Sequence, residues 1–218
     1  SRIIFHSSGT LTMNSDDKYT ALVTGFGPFD NHVINASWEA VKELINLSAT
    51  SEQLKDVKVI VKEIPVSYDG VVDYVSKLWN EYKPTVILHV GVSKIAHCLT
   101  IECCARSNGY IRPDIHKKCP DENDVPEKIL KSGINVNKVC DIVNTRSRET
   151  KCKACVSYDA GRYLCEYIFY KSLEIEPMKT LFVHVPDLDK YSSVQTAKGL
   201  HDVLCYLIES VRNHPDEG

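Results

Sequence analysis

Residues Tyr158 to Leu173 read Tyr-Asp-Ala-Gly-Arg-Tyr-Leu-Cys-Glu-Tyr-Ile-Phe-Tyr-Lys-Ser-Leu. Asp159 is a good helix N-cap and Gly161 suits a tight entry. Leu164, Ile168 and Ser172 then recur every four residues, with Leu173 as an apolar neighbour, as on one face of a helix. A loop therefore runs into a helix here. With Asp159 as the cap, Cys165 falls in the second turn, where the positive end of the helix dipole favours a thiolate only weakly. A nearby base must then supply most of the activation. The alternative is a buried, inert cysteine on a helix face.

The surroundings of this stretch set the fold class. Ala154 to Ser157 forms a short strand before it, and Thr180 to Val185 a strongly apolar strand after it, stopped by Pro186. Upstream, Tyr19 to Thr24 is a first strand that ends in the breaker-rich loop Gly25-Phe26-Gly27-Pro28-Phe29-Asp30. A helix follows from Asn35 to about Leu47, with Ala36, Ala40, Val41, Leu44 and Ile45 on one face. Val57 to Ile64 and Val86 to Val90 are further strands, with a helix over Val71 to Tyr82 between them. His97 to Cys103 reads as a strand carrying Glu102. Residues 105–128 are polar and rich in breakers and read as a surface excursion with no organised motif. Val136 to Val143 is helical, and Val194 to Val211 is a closing amphipathic helix. Strands alternate with helices, and the strands are continuously apolar. That pattern predicts an α/β fold with a mostly parallel sheet covered on both faces. Ligands in such sheets sit beyond the carboxyl ends of the strands, so the Gly25–Phe29 loop, Val90-Gly91-Val92 and His184 should converge.

The chain has 218 residues, 43% of them hydrophobic, and a formal net charge of −3. This suits a single domain over residues 19–212, between a disordered extension at 1–18 and a polar tail at 213–218. Met13 is a plausible start. Lys and Arg are scattered, which argues against nucleic acid and anionic membranes, and no apolar run reaches the roughly 18 residues of a membrane span. Nine cysteines without a secretory signal read as reduced thiols in a cytoplasmic protein.

Cysteine hydrolysis needs a thiolate, a base that takes and returns its proton, and a group that orients the base. His184 is the best-placed base, although a satisfied structural histidine fits its position too. His89 lies inside its strand and reads as core, whereas His6, His116 and His214 lie in tails or loops. Glu102 sits beside apolar residues, and its plainer reading is a strand-end surface charge. Phe26 and Phe29 either grip a flat apolar ligand or fold back as a lid on the core. Cys152 and Cys155 form one CxxC without a second pair, too little for a zinc site, and they enter a strand rather than open a helix as a thioredoxin-like pair would. No metal and no cofactor is expected.

The sequence resembles the pyroglutamyl-peptidase I family of cysteine peptidases from about Tyr19 to Val211. The resemblance is carried by Val23-Thr24-Gly25-Phe26-Gly27-Pro28-Phe29 with Asn35-Ala36-Ser37-Trp38, by His89-Val90-Gly91-Val92-Ser93 with Thr100-Ile101-Glu102, by Asp159-Ala160-Gly161-Arg162-Tyr163-Leu164-Cys165, and by Phe182-Val183-His184-Val185-Pro186. The four motifs occur in order and suitably spaced. The resemblance implies a single three-layer α/β/α domain with a mixed sheet. It implies Cys165 as nucleophile, His184 as general base and acid, and Glu102 as third member. It further implies that Phe26 and Phe29 hold a pyroglutamyl ring, with main-chain groups near Val92, Tyr163 and Leu164 meeting its lactam. The expected partner is a peptide with an N-terminal pyroglutamate, and the expected state a monomer or weak homo-oligomer. Two departures stand out: Asp187 where many animal members have a second Pro, and a poorly matched, Cys-rich stretch from Cys103 to Glu127. The rival classes are a non-catalytic pyroglutamyl-peptide binder and a redox or metal protein using Cys152 and Cys155.

Overall fold

The computed structural model describes residues 17–29, 33–120 and 126–213. In chain order its elements are β1 (Tyr19–Phe26), α1 (Ala36–Ala49), β2 (Val57–Ile64), α2 (Tyr68–Tyr82), β3 (Val86–Val92), β4 (Leu99–Glu102), β5 (Cys104–Arg106), β6 (Ile129–Lys131), α3 (Val136–Thr145), α4 (Ser147–Thr150), β7 (Ala154–Ser157), α5 (Leu164–Ile175), β8 (Thr180–Val185) and α6 (Ser193–Asn213). The extension expected over 1–18 and the tail over 213–218, with His6 and His214, lie outside the described residues except at 17, 18 and 213.

Six strands form one sheet in the order β2-β1-β3-β8-β4-β7. β2, β1, β3 and β8 are mutually parallel, whereas β4 runs antiparallel to β8 and parallel to β7. The sheet is therefore mostly parallel, as the apolar runs predict, and mixed, as the resemblance implies. Successive side chains point to opposite faces of a strand, and each face meets its own helical layer. Ala21, Val23, Leu88, Val90, Leu181 and Val183 pack with Ala40, Leu44, Val139, Leu200 and Leu204 of α1, α3 and α6. Leu22, Ile87 and Phe182 pack with Val71, Val75, Leu164 and Ile168 of α2 and α5. The result is the expected three-layer α/β/α arrangement.

Residues 105–128 differ from expectation. β5 and β6 close a two-stranded antiparallel hairpin, Cys104 opposite Lys131 and Arg106 opposite Ile129. Between them the chain docks on the start of α2. Buried Asp114 accepts from the backbone N–H groups of Tyr68 at 3.0 Å, His116 at 2.8 Å and Lys118 at 3.0 Å. Tyr110 is buried and meets Tyr68 and Tyr167 edge-on, with centroids 6.2 and 5.0 Å apart. The hydrogen bonds to one carboxylate and the aromatic contacts order a segment whose own composition is polar.

Candidate active site

The register of β8 builds the site. His184 stands opposite Gly91 of parallel β3 and opposite Thr100 of antiparallel β4. Glu102, two residues beyond Thr100, faces Phe182, so it shares the face of His184. Its Oε1 lies 2.7 Å from His184 Nδ1. Glu102 is 1% exposed and His184 8%, so Glu102 is not the surface charge of its plainer reading. Glu102 Oε2 has no hydrogen-bond partner among the described residues. Burial pushes the His184 pKa down, but charge and hydrogen bonding from Cys165 and then Glu102 outweigh it and raise it to about 10. Cys165 and Glu102 thus favour the cationic form of the ring.

Cys165 is closer to the helix start than Asp159 capping implies. α5 begins at Leu164 with Tyr163 as N-cap, so Cys165 is in the first turn, where the backbone dipoles favour negative charge most. Asp159 instead closes its own turn, accepting from Gly161 N–H at 3.1 Å. The chain then turns sharply through Gly161 (φ 95°) and Arg162 (φ 51°). Arg162 has a side chain in the left-handed region, a strained conformation held from outside. The holder is Glu166, fully buried, whose Oε2 accepts from Arg162 N–H at 2.7 Å and whose Oε1 accepts from Arg106 N–H at 2.9 Å. An acid at the third helical position reaching back to the preceding loop is half of a capping box, but with Tyr163 rather than Ser or Thr as N-cap the sequence does not carry the full signature.

Gly91 leaves the room that Cys165 occupies. A Cβ there would lie 2.6 Å from Cys165 Sγ and 2.8 Å from Phe182 Cζ. The Gly25–Phe29 loop is fixed by the start of α1. Asn35 caps that helix through its Oδ1, accepting from Ser37 N–H at 3.0 Å, while its Nδ2 donates to Gly27 O at 2.9 Å. Ser37 Oγ in turn accepts from Phe26 N–H at 3.1 Å. Phe26 is buried in the α2/α5 core and Phe29 packs against it.

These pieces surround one cavity of about 600 Å³, whose walls include Phe26, Phe29, Val92, Glu102, Tyr163, Leu164, Cys165 and His184. Every residue singled out from the sequence as a candidate for the site lies on it. Phe26 and Phe29 belong to the core, as the lid reading has it, and also line the cavity. Arg112, from the excursion, also lines it, with its guanidinium 4.1 Å over the Tyr163 ring.

Of the remaining candidates, His89 and Cys152 lie off the cavity, whereas Cys155 lines it. His89 is fully buried, with Nδ1 2.7 Å from Thr24 Oγ1 and Nε2 2.7 Å from Ser172 Oγ. Burial holds its pKa down to about 3, so it is a neutral core group. The CxxC thiols do not meet. Buried Cys152 donates to Gln195 O at 2.9 Å, whereas exposed Cys155 lies 3.3 Å from Cys98. Among the described residues no group of three or more His, Cys, Asp or Glu is placed to hold a metal ion, and no helix is long and apolar enough to cross a membrane.

A sequence profile of the family described as pyroglutamyl peptidase matches residues 19–211. Human pyroglutamyl-peptidase 1 is 39% identical over 188 residues, covering 84% of this chain and 87% of the human protein. Among solved structures, a mutant pyrrolidone carboxyl peptidase from Pyrococcus furiosus superposes with a TM-score of 0.75 at 24% identity, covering 88% of this chain and 99% of that one. Pyroglutamyl peptidase I of Bacillus amyloliquefaciens gives 0.73 at 22%, covering 85% and 95%. The fold is that of these enzymes, and the chain belongs to the pyroglutamyl peptidase family of cysteine peptidases.

Proposed function

We propose that the chain hydrolyses the bond after an N-terminal pyroglutamyl residue of peptides, through a Cys165–His184–Glu102 triad and an acyl-enzyme. The observation that carries this reading is the buried 2.7 Å contact of Glu102 with His184, in the same cavity as a first-turn cysteine and two loop phenylalanines. Pyroglutamate has no free α-amine, so its recognition needs neither an anionic clamp nor a metal. Its lactam is a flat neutral amide, suited to the faces of Phe26 and Phe29. Main-chain groups at Val92, Tyr163 and Leu164 supply its donor and acceptor.

Cys165 Sγ attacks the carbonyl carbon of the pyroglutamyl residue. The developing oxyanion is met by N–H groups of the first turn of α5, which have no partner within the helix, that of Cys165 above all. His184 gives its proton to the leaving amine as the C–N bond breaks. It then takes a proton from the water that clears the thioester, and Glu102 fixes the ring throughout. Capture of the bound substrate without turnover is the alternative.

Release of a fluorescent amine from a pyroglutamyl amide, under reductant, tests this. Turnover by the wild type that vanishes in Cys165→Ala supports the mechanism. A pure, reduced wild type that binds a pyroglutamyl peptide and never cleaves it replaces the peptidase by a binder.

A further inference from the structure

Cys98 stands just before β4 and Cys155 within β7. The parallel register of these strands puts Thr100 opposite Cys155, and the two thiols lie 3.3 Å apart, Sγ to Sγ. A disulfide needs about 2.0 Å, a closure within reach of small side-chain rotations. Both thiols line the cavity that holds Cys165 and His184. Cys155 is exposed and Cys98 partly so. Neither belongs to the triad or to the lactam contacts.

We propose that Cys98 and Cys155 are a redox-responsive dithiol, closed by a small-molecule disulfide, and that closure weakens binding of peptide substrates in the adjoining cavity. The exposed Cys155 thiolate attacks the small disulfide, releasing one thiol and leaving a mixed disulfide. Cys98 loses its proton to solvent and attacks Cys155 Sγ. The protein S–S bond forms, the mixed bond breaks, and the second thiol leaves. The protein has given up two electrons and the small disulfide has taken them. Burial, and then hydrogen bonding and charge from Cys155, push the Cys98 thiol up to about 12. Derivatising Cys155 removes the last two of these effects and leaves burial, so Cys98 is a better nucleophile once its partner is loaded.

The consequence for binding follows from the loop that Cys98 ends. Residues 93–98 join Val92 to β4 along the cavity wall. The loop is tied by Ser93 N–H to Val185 O, by Ala96 N–H to Ser93 O and by Lys190 Nζ, which donates to Lys94 O and Ala96 O, and Ala96 is buried. Ile95 at its middle is 85% exposed and lines the cavity. Ile95 is the part of the loop that can shift to meet a peptide. A covalent bond from Cys98 to β7 removes that freedom at one end.

The full chain and its Cys98→Ser and Cys155→Ser variants are equilibrated in glutathione buffers, alkylated and digested. A peptide linking Cys98 to Cys155 is expected in the wild type alone. Its fraction should depend on [GSH]²/[GSSG] and stay constant when total glutathione changes at that fixed value. A mixed disulfide at Cys165 follows [GSH]/[GSSG] instead. KM for a pyroglutamyl tripeptide should rise by about threefold or more in step with the linked fraction, with kcat much less changed, and return with dithiothreitol. Neither variant should show that component. Absence of the linked peptide, or its formation with KM unchanged, overturns the proposal. Only the kinetic arm rests on the peptidase reading. In a chain without turnover, affinity of Cys165→Ala for the same peptide replaces KM, so the two readings fail separately.

Discussion

The Glu102–His184 contact sets how the site responds to pH. Burial alone would leave the imidazole neutral, and Cys165 and Glu102 together raise its pKa to about 10. The basic limb of kcat/KM, where the imidazolium is lost, should therefore lie near that value. Glu102→Gln keeps the shape of the side chain and removes one of the two supports. We expect kcat/KM to fall roughly a hundredfold and the basic limb to move to lower pH by about one unit or more. A limb that stays in place would show that Glu102 orients the ring without charging it. Gly91→Ala is a separate test of the seat of the proposed nucleophile, Cys165. Its Cβ must displace Cys165 Sγ, 2.6 Å away, or Phe182 Cζ, 2.8 Å away. Alkylation of Cys165 should slow, kcat should drop on the order of a hundredfold, and overpacking should cost about 1–3 kcal/mol in a urea titration. Unchanged alkylation and turnover would mean that the pocket relaxes around the methyl. The triad candidates are legible in the sequence because each lies in a motif string. The demand on Gly91 is not, because it arises from a side chain 74 positions downstream that only the folded sheet brings beside it.

At the scale of elements, sequence reasoning places the six strands of the main sheet well and misreads how α5 starts. Asp159 is the better cap by residue preference, yet the helix begins beyond Tyr163, which makes no side-chain cap bond. The reason is Glu166, which binds the loop from inside the helix and ties it to β5 through Arg106. Glu166→Gln can accept from only one of those two N–H groups, and its amide nitrogen faces the other. We expect a loss of about 1–3 kcal/mol in stability. A fall in kcat of about tenfold should accompany it, since the proposed nucleophile, Cys165, is the residue before Glu166. Equal kcat in the variant, measured at saturating substrate, would show that α5 holds Cys165 without this cap. The β5–β6 hairpin escapes a sequence reading for another reason. Its strands have three residues each, and Ile129–Lys131 is largely exposed, so no apolar periodicity marks it. Asp114 and Tyr110, which order the loop between the strands, act through contacts with α2 and α5 rather than through local pattern.

For the whole molecule, chain order predicts the layers but not the reversal of β4, because an antiparallel strand inside an apolar sheet has the same composition as a parallel one. That reversal brings Glu102 back toward His184, while a second histidine, His89, is sealed in the core between Thr24 and Ser172. The two rings should shape stability in opposite ways. His89 has a folded pKa of about 3 against an ordinary value of 6.5, so between those limits the unfolded chain binds the extra proton. Its contribution is therefore complete above pH 6.5 and lost as pH falls toward 3. His184, raised to about 10, is the reverse: its contribution is complete below 6.5 and lost as pH rises toward 10. Asp202, which burial raises from 3.8 to about 6, opposes His89 between those values. Between pH 6.5 and 4 its window is about two units against about two and a half for His89, so the two nearly cancel. Stability should thus change little between pH 6.5 and 4 and decline above pH 6.5. In urea unfolding at pH 4, 6.5 and 9, His89→Gln should leave Asp202 unopposed, so that stability rises from pH 6.5 to 4, and should leave the alkaline slope. His184→Ala should flatten the alkaline slope. Stability that does not rise toward pH 4 in His89→Gln would show that this buried ring is not what offsets Asp202.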